Sequence, residues 1–296
     1  GNIELILRHD PNLQGIAHNG FKQVPVLLSE LPWRKPQDKN GPNWSDADDA
    51  ALRSYLERGY SIYAVAKTND AFSNVTQERY FHPVRDYLNG LPPWDGIDRV
   101  DRLLVDYLGA EEGVLSRAFA RRTLVAAISR IMQPGIKFET MLVLVGPQGC
   151  GKSTLFNKLA RGWFSDNLMI NDMKDKAAVE KMQGYWIIES GELAGLRKAE
   201  EEMVKNFLSR QHDVVRFAYD RRPAELPRQC IIVGSTNRMQ GFLRDQTGNR
   251  RFWPIHVRKV PFEQSSWTLT DDTVAQLWAE ALEMYHAGES IILTPE

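Results

Sequence analysis

Residues 146–153, Gly-Pro-Gln-Gly-Cys-Gly-Lys-Ser, constrain this chain more than any other stretch. They keep the spacing G-x-x-x-x-G-K-[ST], and both flanks suit it. The apolar run Met141-Leu142-Val143-Leu144-Val145 has the length of a buried strand, and Thr154-Leu155-Phe156-Asn157-Lys158-Leu159 continues as a helix. A strand that turns through glycines into a helix aims successive backbone N–H groups, and the positive end of the helix dipole, at one point. Gly146, Gly149 and Gly151 free the backbone to wrap, Pro147, Gln148 and Cys150 complete the loop, and Thr154 lies in the first helical turn. Such a loop suits phosphate. Lys152 is expected to reach the β- and γ-phosphates of ATP, and the Ser153 hydroxyl to meet Mg²⁺.

Phosphoryl chemistry at such a loop needs a second strand that ends in a carboxylate, to hold the metal and polarise a water. Tyr185-Trp186-Ile187-Ile188-Glu189-Ser190-Gly191-Glu192 supplies an apolar strand with two carboxylates at its end. Glu189, at the strand end, is the metal candidate and Glu192 the water candidate, although the two roles are interchangeable on sequence alone. A third apolar strand runs from Gln229 to Ser235 and delivers Asn237. In P-loop ATPases with an additional strand, an Asn at this point contacts the γ-phosphate or the water, which makes Asn237 the candidate here.

Arg250 and Arg251 follow the turn Thr247-Gly248-Asn249 and lead into a short strand, Phe252-Trp253-Pro254-Ile255. A rigidly held arginine that projects toward a γ-phosphate neutralises charge in the transition state. Either residue is a candidate for that role in a neighbouring subunit's site. Between the second and third strands, Val214-Val215-Arg216-Phe217-Ala218-Tyr219-Asp220-Arg221-Arg222-Pro223 reads as a hairpin arm with a basic tip. Basic and aromatic residues in alternation suit a nucleic-acid backbone, so Arg216, Tyr219, Arg221 and Arg222 are the candidate nucleic-acid contacts.

Composition narrows the remaining classes. With 37 Lys and Arg against 38 Asp and Glu the net charge is −1, so any grip on nucleic acid must be a local patch. At 43% hydrophobic and 25% charged, the 296 residues are those of a folded protein. Two cysteines are no disulfide framework, and a reducing cytoplasm is the expected setting. The apolar runs are too short for a membrane span. The six histidines lack metal-ligand spacing. The chain opens Gly-Asn-Ile without Met, which suggests a piece of a longer protein.

Two regions are expected. Residues 1–132 read as mainly helical. Within them 1–44 are irregular, and helices cover a stretch from Ser45 to Gly59, then 76–88, 97–108 and 113–132. Residues 133–296 read as an α/β phosphate-loop domain that closes with a helix at 271–287. Strands are expected at 140–145, 168–171, 185–189 and 229–235, alternating with helices at 151–160, 174–182 and 198–209.

The order of these motifs resembles the virulence-associated protein E family of phage and mobile-element replication proteins. The resemblance rests on GPQGCGKST, WIIESGELAGLRKAEEEMVKNFLSRQHDVVRFAYDRRP, CIIVGSTN and TGNRRFWPI, and more diffusely on PPWDG at 92–96. It implies an α/β P-loop NTPase core of the AAA+ or superfamily-3 helicase type. It also implies a hexameric ring around DNA, expected to be single-stranded, a primase domain or partner protein, and the cytoplasm of a bacterial host cell. The activity it implies is that of an ATP-dependent DNA helicase or translocase. A nucleotide kinase, or a nucleotide-gated DNA-binding scaffold without helicase activity, would carry the same phosphate loop.

Overall fold

The computed structural model describes residues 1–34, 41–191, 193, 197–215, 223–237 and 249–293. The chain forms two compact units, Gly1–Asp86 and Tyr87–Glu296.

The first unit contains α1 (Asn2–His9), β1 (Ile16–Asn19), β2 (Val24–Leu27), α2 (Asp46–Tyr60), α3 (Val65–Glu78) and β3 (Tyr80–Phe81). Its strands lie in the order β2-β1-β3, with β1–β2 antiparallel and β1–β3 parallel. Ile3, Leu7, Leu13, Ile16, Leu52, Leu56 and Val75 share its apolar core. Helix α2 starts at Ser45 as expected, where Asp48 accepts from the Ser45 N–H at 2.8 Å. The segment expected to be irregular holds α1 and a hairpin. Only Ile3 and Leu7 are buried in α1, two positions too few to set a visible period. The helix expected over 76–88 is instead the end of α3, then β3, then α4 (Pro83–Asn89). Pro83 opens α4, and the His82 ring nitrogen caps it by accepting from the Arg85 N–H at 3.1 Å.

The division between units falls within α4, not at 132/133. Helices α5 (Leu103–Leu108) and α6 (Val114–Met132) belong to the second unit. The physical reason is packing. Phe119, Leu124, Val125, Ile128 and Ile131 of α6 are buried, and the Ala127 carbonyl accepts from the Trp186 indole at 2.9 Å. Gln133-Pro134-Gly135 is a turn inside that unit, with Gly135 at φ +84°.

The second unit continues with β4 (Met141–Val145), α7 (Lys152–Ala160), β5 (Phe164–Ser165), α8 (Ala177–Met182), β6 (Ile187–Ser190) and α9 (Lys198–Leu208). The hairpin β7 (His212–Val215) and β8 (Ala224–Pro227) follows, then β9 (Ile231–Thr236), β10 (Phe252–His256) and α10 (Asp271–His286). Residues 168–171 are not a strand. The neighbouring strand is β5, and Ile170–Lys174 forms a 3₁₀ turn in which Asp172 accepts from the Met169 N–H at 2.8 Å.

Five strands make one parallel sheet in the order β10-β4-β9-β6-β5. Met141, Val143, Val145, Ile188, Ile232 and Phe252 bury one apolar cluster in it. Because the strands run in parallel, the residues after Val145, Ser190 and Thr236 emerge along one edge, where ligands of parallel sheets bind. Strands β7 and β8 pair antiparallel on either side of the expected arm. Its base is held by a buried pair in which Arg228 Nε donates to Asp213 at 2.6 Å. The proposed tip contacts Arg216, Tyr219, Arg221 and Arg222 lie outside the described residues.

Candidate functional site

The carboxyl edge of the sheet gathers the phosphate-loop residues. Strand β4 is buried throughout, and its continuation leaves at Gly146, whose N–H donates to the Thr236 carbonyl of β9 at 3.1 Å. A side chain at Gly146 would run into the Val257 carbonyl, so only glycine lets the loop depart here. Gly149 and Gly151 adopt φ of +72° and +90°, the region that glycine enters without strain. Pro147, Gln148 and Gly149 form an exposed tip, Cys150 is buried, and Gly151 caps α7. Thr154 lies in the first turn of α7, as expected.

Two contacts join the three strands. Lys152 Nζ donates to the carbonyls of Gly146 at 2.8 Å and Pro147 at 2.9 Å, and to Asn237 Oδ1 at 3.0 Å. The Ser153 hydroxyl donates to Glu189 Oε1 at 2.9 Å. Lys152 is 7% exposed and Glu189 is 2% exposed, yet among the described residues neither forms an ion pair. Glu189 Oε2 is buried without a hydrogen-bond partner. A buried ammonium held only by neutral acceptors and a buried carboxylate with a free oxygen are costly to leave so. An incoming anion relieves the first and an incoming cation the second. The hydroxyl and carboxylate oxygens of Ser153 and Glu189 are the hard donors that Mg²⁺ takes, and the open glycine loop at a helix N-terminus suits phosphate.

The virulence-associated protein E-like domain model matches residues 88–296. The chain belongs to that family. The match begins where the second unit begins. The fold is similar to the A form apo structure of the NrS-1 C terminal region, with TM-score 0.57 and 11% identity over 94% of this chain and 68% of that one. A second apo structure of that region (305–718) gives TM-score 0.53 and 13% identity over 98% and 69%. At this identity the likeness shows the fold alone. No curated protein matches the chain.

Within the VapE-like region, Arg250 and Arg251 are not brought to the loop of their own chain. They immediately precede β10, whose Phe252 pairs with Met141 at the start of β4. They approach Glu139 at 3.8 and 3.5 Å, at the amino edge of the sheet. The five residues of β4 put about 16 Å between that edge and the phosphate loop. Arg250 is 78% exposed. Glu192 lies outside the described residues.

The sequence reading missed the segment after β10. Ser266 Oγ donates to the Gly151 carbonyl at 2.9 Å, and Lys158 Nζ donates to the carbonyls of Trp267 and Leu269 at 3.0 and 2.9 Å. No local pattern marks these residues, because the contact exists only once β10 lies beside β4. No helix among the described residues is long and apolar enough to cross a membrane.

Proposed function

We propose that this chain is a Mg²⁺-dependent ATPase that moves along or remodels DNA during replication of a phage or mobile element. The observation that carries the reading is the pair of contacts Lys152–Asn237 and Ser153–Glu189 at the carboxyl edge of one parallel sheet. The strand order supports it, since β9 between β4 and β6 is the arrangement of P-loop ATPases with an additional strand. Family membership supports a role in phage or mobile-element replication.

The chain's own groups account for the chemistry. Backbone N–H groups from Gly149 to Ser153 and the α7 dipole hold the terminal phosphates. Lys152 exchanges its carbonyl acceptors for phosphate oxygens while Asn237, within hydrogen-bond reach of it, senses the γ-phosphate. Ser153 and Glu189 would hold Mg²⁺, which supplies charge neutralisation of the triphosphate. Glu192 is the candidate to orient the attacking water. Burial of Lys152 and Glu189 excludes solvent and strengthens each of these interactions.

Arg250 or Arg251 acts on a neighbour's nucleotide, since about 16 Å of sheet separates the pair from its own loop. A hexameric ring meets that requirement. The arm between β7 and β8 touches single-stranded DNA, and a primase domain or protein works alongside.

Phosphate release with and without single-stranded DNA, on wild type and Lys152→Ala, tests the activity. DNA-stimulated release lost in the variant is expected. Release indifferent to DNA would favour a nucleotide kinase, and ATP binding without release would favour a scaffold. Mixing Lys152→Ala with Arg250→Ala/Arg251→Ala chains should restore turnover. Failure to restore it, with each variant still assembled in sedimentation with ATP, would overturn the shared site.

A further inference from the structure

The phosphate-loop reading leaves open what receives the other end of the nucleotide, and the strand order answers it. β9 and β6, which carry Asn237 and Glu189, lie on one side of β4, and β10 lies on the other. The reactive end of a bound triphosphate therefore faces the β9–β6 side. The base, one ribose beyond the phosphates, falls toward the segment that continues β10.

That segment exposes two aromatic side chains, Phe262 and Trp267, and Trp267 is the one that lies against the loop. Trp267 is 41% exposed, and it alone among the eight tryptophans is exposed. A Cβ at Gly151 would come within 2.9 Å of Trp267 Cζ3 and 3.3 Å of Cε3, so the six-membered ring rests against the residue that caps α7. The ring's backbone is clamped from both sides. Ser266, fully buried, bonds the Gly151 carbonyl, and Lys158 of α7 bonds the carbonyls of Trp267 and Leu269. Thr268 Oγ1 closes the turn on the Ser265 carbonyl at 2.9 Å. An indole whose backbone is already held, and whose surface is partly in water, gains by covering that surface with another ring.

We propose that Trp267 is the platform on which the nucleobase of the bound nucleotide stacks. The inference rests on the phosphate-loop reading and adds the base subsite to it. Stacking tolerates any base, so the platform separates a nucleoside triphosphate from a bare triphosphate rather than one base from another.

The test compares ATP with inorganic tripolyphosphate, both with Mg²⁺, binding to the 296-residue chain by calorimetry. Trp267→Ala and Trp267→Leu should each weaken ATP by about ten-fold or more and leave tripolyphosphate within about two-fold, while Trp267→Phe keeps most of the ATP affinity. Equal loss of both ligands in the Ala and Leu variants would reduce Trp267 to a brace for the loop and overturn the proposal. Unchanged ATP affinity in them would overturn it too. If Trp267→Ala does not fold, the Leu and Phe variants carry the same comparison. Failure of the underlying reading looks different: wild type would bind neither ligand, or Lys152→Ala would bind both as wild type does.

Discussion

The two units differ in how completely their buried polar groups are satisfied. In the first unit they satisfy one another. Asp48 accepts from the Arg34 guanidinium, from Trp33 Nε1 at 3.1 Å and from the Ser45 hydroxyl at 2.6 Å. Asp10 accepts from Tyr55 at 2.7 Å, Tyr60 at 2.9 Å and the Asn12 N–H at 2.9 Å. Arg79 donates to the carbonyls of Leu7 and Leu13 at 2.7 and 2.8 Å. Among the described residues, every buried side-chain polar atom without a partner lies at or beyond Tyr87, Glu189 Oε2 and Ser190 Oγ among them. Each such group costs about 1–3 kcal/mol. The two beside the phosphate loop, Glu189 Oε2 and Ser190 Oγ, are available to a partner that comes from outside, whereas the first unit has used its polar groups on its own fold.

Substitutions at the loop should therefore remove activity and leave stability intact. Lys152→Ala is expected to lower ATP turnover by at least about a hundred-fold, with an unchanged thermal melt. Glu189→Gln sharpens the contrast. It removes a buried charge, so turnover should fall by about 10²–10³ while the melting temperature holds or rises. A melting temperature lowered as much as activity would show that Glu189 serves the fold, and the contrast between the units would break.

Asp48→Asn is the mirror experiment. It removes the carboxylate charge that faces the Arg34 guanidinium, which costs up to about 3–5 kcal/mol, read in urea unfolding of the first unit, with no change in nucleotide affinity. The same group predicts the response to acid. Burial raises its affinity for a proton, but the hydrogen bonds from Arg34, Ser45 and Trp33 outweigh that and hold the carboxyl at about 2. The folded value lies below the unfolded one, so its contribution is complete above about pH 4 and is lost as pH falls toward 2. Wild-type unfolding should show that loss over this window, and Asp48→Asn should flatten it.

What was legible in the sequence follows the same division. The loop from Gly146 to Ser153, the strand into Glu189 and the strand into Asn237 are each local patterns, and each lies where its pattern predicts. Their convergence depends on β9 entering between β4 and β6, a pairing across some ninety residues of sequence that no local window contains. The boundary at 132/133 missed for the same reason, since α6 finds its partners in strands that follow it. Arg250 and Arg251 were placed correctly before a strand, but only the parallel register of β10 with β4 shows that they point away from their own loop. Helix α1 was invisible because two turns hold too little periodicity.

The smallest expected effects give the sharpest comparison, because two hydroxyl deletions can be matched. Tyr55→Phe removes a donor to the buried Asp10 and should cost about 1 kcal/mol. Ser190→Ala removes a hydroxyl that is fully buried and makes no hydrogen bond, so it should be neutral or stabilising by up to about 1 kcal/mol. The signs matter more than the sizes. Ser190 follows Glu189 on the strand that faces the phosphate loop, so a stabilised variant with reduced ATP affinity would mean that its hydroxyl is held for the ligand. Equal destabilisation by both changes would mean that the Ser190 hydroxyl is satisfied as the Tyr55 hydroxyl is, and that the contrast between the units does not extend to it.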